Sequence, residues 1–182
     1  IIRDLLDQGA AIDAFGVGER LITAKSDPVF GGVYKLAAIE EEDGTITPKI
    51  KVSENPSKIT TPHFKKVYRL FAKDTGKAEA DYICVHDETV DQGQPLELFD
   101  PDATWKRKTL SNFQAVELLV PVFRGGELVY SLPSIEDSRD YCARQVDLLW
   151  DEVKRFEFPH NYYVDLSSRL WQIKQDLLKQ NG

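Results

Sequence analysis

A single β/α unit stands at the head of this chain, and one such unit cannot close a fold by itself. Ile1, Ile2, Leu5 and Leu6 share one helical face, and Gly9 supplies the stop expected where a helix gives way to a strand. Ala11-Ile12-Asp13-Ala14-Phe15 then reads as a short buried strand running into the glycine bend Gly16-Val17-Gly18. Helix, turn, apolar strand and glycine loop is the grammar of a repeated β/α architecture. Strands of that kind are covered on both faces, so one unit leaves its own strand unpacked. The expectation is that further sequence precedes it. Methionine usage agrees. The 182 residues contain none, where ordinary composition gives about 4, and a translated chain starts with one. The chain is therefore expected to be a piece of a longer protein, the alternative being a processed N-terminus.

From Gly31 the periodicity changes from β/α to hairpins. Residues 33–39 and 46–52 flank an acidic turn with Asp43-Gly44, a common hairpin pair, and Pro48 places the second strand at an edge or an interruption. Pro56 and Pro62 stiffen the loop that follows. Residues 66–71 and 78–85 read as a second hairpin around Asp74-Thr75-Gly76, and 87–101, with Gly93, Pro95 and Pro101, as a surface connection. Residues 105–110 and 115–122 are further strands, and Arg124-Gly125-Gly126 turns the chain into 128–130. Ser134 opens a capping box with Asp137. The helix behind it carries Ile135, Cys142, Val146, Leu149, Trp150 and Val153 on one side and is expected to end near Phe158-Pro159. A last helix begins after Asp165 or Ser167, with Leu166, Leu170, Ile173, Leu177 and Leu178 as its apolar stripe.

Several function classes are excluded on composition. No run of ~18 apolar residues occurs, so no transmembrane helix is expected, and Ile1-Ile2-Arg3-Asp4 lacks the layout of a secretory signal. A formal charge of −7 argues against general affinity for nucleic acid or an anionic membrane. Two cysteines, Cys84 and Cys142, are too few for a disulfide framework and fit a reducing cytoplasm.

Candidate chemistry centres on the glycine bend. Small residues after a strand let backbone N–H groups approach an oxyanion, and a helical turn starting at Glu19-Arg20-Leu21 would add free N–H groups and a favourable dipole for phosphate. A plain tight turn is the other reading. A dinucleotide fingerprint would suit Glu40, but Leu21 holds the third glycine position and Pro28 with Gly31-Gly32 leaves no room for a crossover helix. That site is rejected. Lys49, Lys51, Lys58, Lys65, Lys66 and Arg69 either gather round a polyphosphate or face solvent and blunt a sheet edge. His63, His86 and His160 are isolated, with no zinc-site spacing. Cys84, two residues from His86, lies in an apolar run and reads as core. His160 reads as a loop hydrogen-bonding residue, and 40–43 as a solvated acidic turn.

Longer strings carry a resemblance. Phe15-Gly16-Val17-Gly18-Glu19-Arg20-Leu21-Ile22-Thr23 and Asp27-Pro28-Val29-Phe30-Gly31-Gly32-Val33-Tyr34-Lys35-Leu36 closely resemble bacterial nicotinate phosphoribosyltransferases. So do Pro48-Lys49-Ile50-Lys51-Val52-Ser53, Lys58-Ile59-Thr60-Thr61-Pro62, Lys66-Val67-Tyr68-Arg69-Leu70 and Leu119-Val120-Pro121-Val122-Phe123. The likeness extends through residues 149–156 and 159–167, so it covers essentially the whole chain.

The resemblance implies an α/β fold: the C-terminal part of an irregular α/β-barrel phosphoribosyltransferase. Residues 1–30 would be the last β/α unit of the barrel with its glycine phosphate loop. Residues 31–90 would be a β-hairpin segment of the second domain, and 91–182 an α+β C-terminal extension ending in two helices. In barrels, late loops at the C-terminal strand ends commonly hold phosphate, which suits this bend. The implied reaction joins nicotinate to phosphoribosyl pyrophosphate in cytoplasmic NAD biosynthesis, coupled to ATP through a phosphorylated histidine. The implied role of this segment is to hold the 5′-phosphate through Gly16, Val17, Gly18 and Glu19, with Arg20 and Lys25. Glu19 departs from the family pattern, where threonine is common, and there only its N–H is expected to serve. No catalytic residue and no metal ligand are expected in this piece, because the family's phosphoryl-accepting histidine lies upstream and none of the three histidines matches it. The piece alone is expected to bind no cofactor and to be inactive, with ATP and Mg2+ belonging to the full-length family. A homodimer is implied, and neither nucleic acid nor membrane. The alternative function is a non-catalytic binding or scaffold module, or a degenerate homologue, with a purely structural glycine loop.

Overall fold

The computed structural model describes residues 1–29 and 31–181; Phe30, in one of the quoted strings, and Gly182, at the end of the 91–182 segment, lie outside the described residues. The chain divides into two compact units, Ile1–Tyr34 and a second that starts at Lys35.

The first unit holds α1 (Ile2–Asp7) and α2 (Glu19–Ile22). Gly9 follows α1 at φ +78°, the left-handed conformation that ends a helix without a Cβ penalty. The segment 11–15, expected as a buried strand, joins no ladder, and its side chains are exposed. A strand exists only by pairing, and no neighbouring strand lies beside it among the described residues.

The second unit begins with the antiparallel pair β1 (Ala38–Glu40) and β2 (Ile46–Pro48), closed through Gly44 at φ +82°. A single 3-10 turn, Pro56–Lys58, is capped by the Asn55 carboxamide oxygen, which accepts from the Ser57 amide at 3.0 Å. The main sheet is built from β3 (Lys65–Ala72), β4 (Ala78–Val85), β7 (Phe113–Glu117) and β10 (Tyr163–Leu166), in the order β10-β4-β3-β7. Pairs β3–β4 and β3–β7 are antiparallel, whereas β10 runs parallel to β4, with Asp165 opposite Tyr82. Between them β5 (Leu96–Asp100) and β6 (Ala103–Leu110) form a separate hairpin, and β8 (Phe123–Arg124) and β9 (Glu127–Leu128) a shorter one.

Alternation along the strands sends Leu70, Ala80, Leu98, Leu110 and Phe113 into one core. Val85 and Leu166 meet Leu170 of α4 (Ser168–Asn181) in a second cluster. Sheet and helix are joined at the α4 N-terminus, where the Ser167 hydroxyl oxygen accepts from the Leu170 amide at 3.1 Å and the hydroxyl donates to Glu88 at 2.8 Å. Burying three or four large aliphatic side chains this way contributes about 2 kcal/mol each.

Four expectations are corrected here. Residues 87–101 are not all surface connection: Leu98 and Phe99 of β5 are buried, the prolines and glycine merely bracketing the strand. The helix after Ser134, α3 (Ile135–Asp147), stops well short of Phe158. Carbonyls at its end are claimed from the start of β4 and the residue before it: the Lys77 ammonium donates to Asp147 O at 2.6 Å and the Ala78 amide to Leu148 O at 2.8 Å. The packed face expected on that helix is also absent, since Ile135, Cys142 and Val146 are exposed. The strand expected over 115–122 begins earlier and ends at Glu117.

Candidate functional site

The glycine bend is open. Gly18 is the N-cap of α2 with extended backbone (φ −83°, ψ −175°), and a Cβ added at Gly16 or Gly18 would meet nothing within 4 Å. Among the described residues the amides of Val17, Gly18, Glu19 and Arg20 have no protein acceptor; internal bonding starts with Leu21 N to Gly18 O at 3.2 Å and Thr23 N to Glu19 O at 2.8 Å. Those amides are the orphan donors of a helix start. Glu19 and Arg20 lie in that first turn, and the Lys25 amide closes back on Arg20 O at 3.2 Å. The six residues Gly16, Val17, Gly18, Glu19, Arg20 and Lys25 therefore fall on one short stretch of the first unit, with donors free for an anion.

Two cations of the basic stretch, Lys65 and Arg69, are taken up by internal partners. Lys65 is half-buried and donates to the carbonyls of Thr61 (2.9 Å), Pro62 (3.3 Å) and His63 (2.7 Å), and burial lowers its pKa. Arg69 makes a two-pronged pair with Asp81 at 2.8 and 2.9 Å, and that hydrogen-bonded carboxylate raises the guanidinium pKa further. The Tyr162 hydroxyl donates to the same carboxylate at 3.0 Å, and burial holds its phenol well above the usual range. Lys58 uses its carbonyl to accept from the Lys35 ammonium. These cations hold loops and strands together.

Cys84 is fully buried, and desolvation pushes its thiol up to about 11, so it is core, as its apolar run indicates. His86 stacks on His63 at 5.9 Å between ring centroids, and its Nδ1 is buried without a partner among the described residues. His160 donates its backbone N–H to Glu152 O at 2.9 Å.

A large groove lies in the second unit, between the β5–β6 turn, the start of β4 and residues 159–165. Asp165 forms part of its wall and is 4 % exposed, with a carboxyl pushed up to about 6 by burial and by the like charge of Asp100. Sequence reading treated Asp165 only as a possible helix start. A charged residue inside the apolar run Tyr163-Val164-Asp165-Leu166 was the available signal.

A family model described as "Nicotinate phosphoribosyltransferase C-terminal domain" matches residues 64–174. The nicotinate phosphoribosyltransferase of Bacillus subtilis is 44% identical over 98% of this chain and 36% of its own length. That of Caenorhabditis elegans is 34% identical over 100% of this chain and 32% of its own. A crystal structure of human nicotinic acid phosphoribosyltransferase superposes with a TM-score of 0.57 at 28% identity, covering 64% of this chain and 23% of the human one. The chain thus spans about a third of the length of the curated relatives it matches. With more than half of its residues inside that family model, the chain belongs to the nicotinate phosphoribosyltransferase C-terminal domain family.

Proposed function

We propose that this chain is the C-terminal part of a nicotinate phosphoribosyltransferase, which joins nicotinate to phosphoribosyl pyrophosphate and releases nicotinate mononucleotide and pyrophosphate with coupling to ATP. The observation that carries the reading is likeness to a named enzyme over nearly the whole chain, 98% of it in the Bacillus relative. The enzyme would act in NAD salvage, in the cytoplasm and as a homodimer. Residues 1–30 would complete an irregular α/β barrel, 31–90 would belong to a second domain and 91–182 to a C-terminal extension.

As pyrophosphate leaves, the ribosyl carbon takes on oxocarbenium character, so catalysis is mostly positioning and charge stabilisation. The part assigned to this chain is positioning. The amides of Val17, Gly18 and Glu19 would grip the 5′-phosphate, and Arg20 and Lys25 would add charge. The openness of the bend and its unclaimed donors support that role. Glu19 would contribute its N–H while its carboxylate points away from the anion. Among the described residues no group of three or more His, Cys, Asp or Glu is arranged to hold a metal ion.

Gly18→Asp in the full-length enzyme tests the assignment. Aspartate is a good N-cap, so the helical turn is kept, while a fixed anion enters the phosphate position. The expected result is a KM for phosphoribosyl pyrophosphate raised at least about tenfold, or ~1.4 kcal/mol, with melting temperature unchanged. An unchanged KM removes the phosphate role. Failure of the unmodified enzyme to form nicotinate mononucleotide removes the function.

A further inference from the structure

The groove in the second unit has a volume of about 1270 Å³, large enough for a small molecule, and is open along one side. Its lining is chemically uneven. Asp165 sits at one end because β10 alternates: Leu166 turns into the core with Val85 and Leu170, so Asp165 turns to the opposite face. Asp165 is 4 % exposed as a residue and lines the groove, and among the described residues its carboxyl accepts no hydrogen bond and forms no ion pair. Buried carboxylates are ordinarily paired or fully hydrogen-bonded, because an unmet one costs several kcal/mol. The neighbouring charge aggravates the deficit. One oxygen of Asp100 accepts from Asp102 N at 2.9 Å and Ala103 N at 3.1 Å, and the other lies 3.7 Å from Lys106.

The lysines nearby do not relieve Asp165. Lys106 extends into solvent beside Asp100, and Lys108 is committed to Glu79 at 2.6 Å. Lys108 does show what the wall accepts, since its ammonium lies 5.8 Å from the centroid of the Tyr163 ring. Trp150 supplies a second aromatic surface in the same groove.

We propose that this groove binds a small organic cation, an amine or amidine whose N–H groups donate to Asp165 and Asp100 while its body lies along Tyr163 and Trp150. All of its lining residues belong to the second unit. A ligand donor there would give the Asp165 carboxyl a partner and offset part of its repulsion by Asp100.

Benzamidine titrated into the full-length protein, followed by calorimetry and by the carboxyl carbon resonance of Asp165, tests the proposal. Benzamide, the neutral isostere, is the control. Saturable benzamidine binding is expected with Kd at or below about 1 mM, a shift of the Asp165 resonance, no binding of benzamide, and at least about tenfold weaker binding by Asp165→Asn. Asp100→Asn, which keeps an oxygen for the Asp102 and Ala103 amides, is expected to weaken it as well. Absence of saturable binding overturns the proposal, as it would if a basic side chain from the rest of the full-length protein already filled the groove. Equal affinity of benzamidine and benzamide, or of wild type and both aspartate variants, overturns it too.

Discussion

Asp165 sets the pH response at the scale of a single residue. Its carboxyl stands at about 6 in the folded protein against 3.8 ordinarily, raised by burial and then by Asp100. Between those values the folded state holds a proton that the unfolded chain has lost. By linkage, stability therefore falls as pH rises from about 4 to about 6, and levels off above. A shift of that size corresponds to ~2–3 kcal/mol lost by pH 7. Asp165→Asn is expected to abolish this component, so the variant gains on the wild type across the window. Urea unfolding from pH 4 to 8 measures it as the difference between the two profiles, which removes what Glu152, His160 and Lys106 contribute. A difference that stays flat with pH would refute the assignment. The same residue shows a limit of sequence reading. The glycine bend was legible because glycine spacing and a following helical turn are local facts, and the structure places both as read. Asp165 was not, because a carboxyl three residues before a helix acquires its character from burial and then from Asp100, far back in the sequence.

Elements follow the same division between local and distant causes. The hairpins were legible from their turns: the Asp43 carboxylate accepts from Thr45 N at 2.9 Å, and Gly44 and Gly76 take φ of +82° and +69°. By contrast β10 is defined by a parallel partner, Ala80 to Ile83 of β4, that nothing adjacent to it announces. The end of α3 was misplaced for a related reason, since Lys77 and Ala78 terminate it from outside. Its start was legible because the capping box is self-contained: the Ser134 hydroxyl oxygen accepts from Asp137 N at 3.0 Å, and the Asp137 carboxylate accepts from Ser134 N at 3.3 Å. No α3 residue is buried, so the helix leans on this cap more than on packing. Ser134→Ala is expected to cost about 1 kcal/mol. Hydrogen exchange should detect it as roughly fivefold faster exchange in the α3 amides, with β3 and β4 unchanged. Faster exchange at β3 as well would instead mean that α3 is coupled to the core.

For the whole molecule the decisive contrast is where burial lies. The second unit owns both hydrophobic clusters, whereas the first has no buried side chain among its described residues. Protection from exchange follows burial and ladder hydrogen bonding. In the 182-residue chain, amides 11–15 are thus expected to exchange near their intrinsic rates while β3 and β4 are protected. The barrel assignment makes the opposite demand of the full-length protein. There, strands on either side must take up the backbone groups of 11–15, because a barrel strand has every amide paired and both faces covered. Exchange through that segment should slow by orders of magnitude relative to the shorter chain, and the open amides at Gly16–Glu19 should slow further when phosphoribosyl pyrophosphate is added. If 11–15 exchange equally fast in both proteins, the segment is no barrel strand, and the bend loses the rigid support that phosphate positioning requires. If 11–15 are protected but the bend ignores the ligand, the barrel stands and the phosphate lies on another loop. The two outcomes separate architecture from chemistry, which the family likeness by itself joins together.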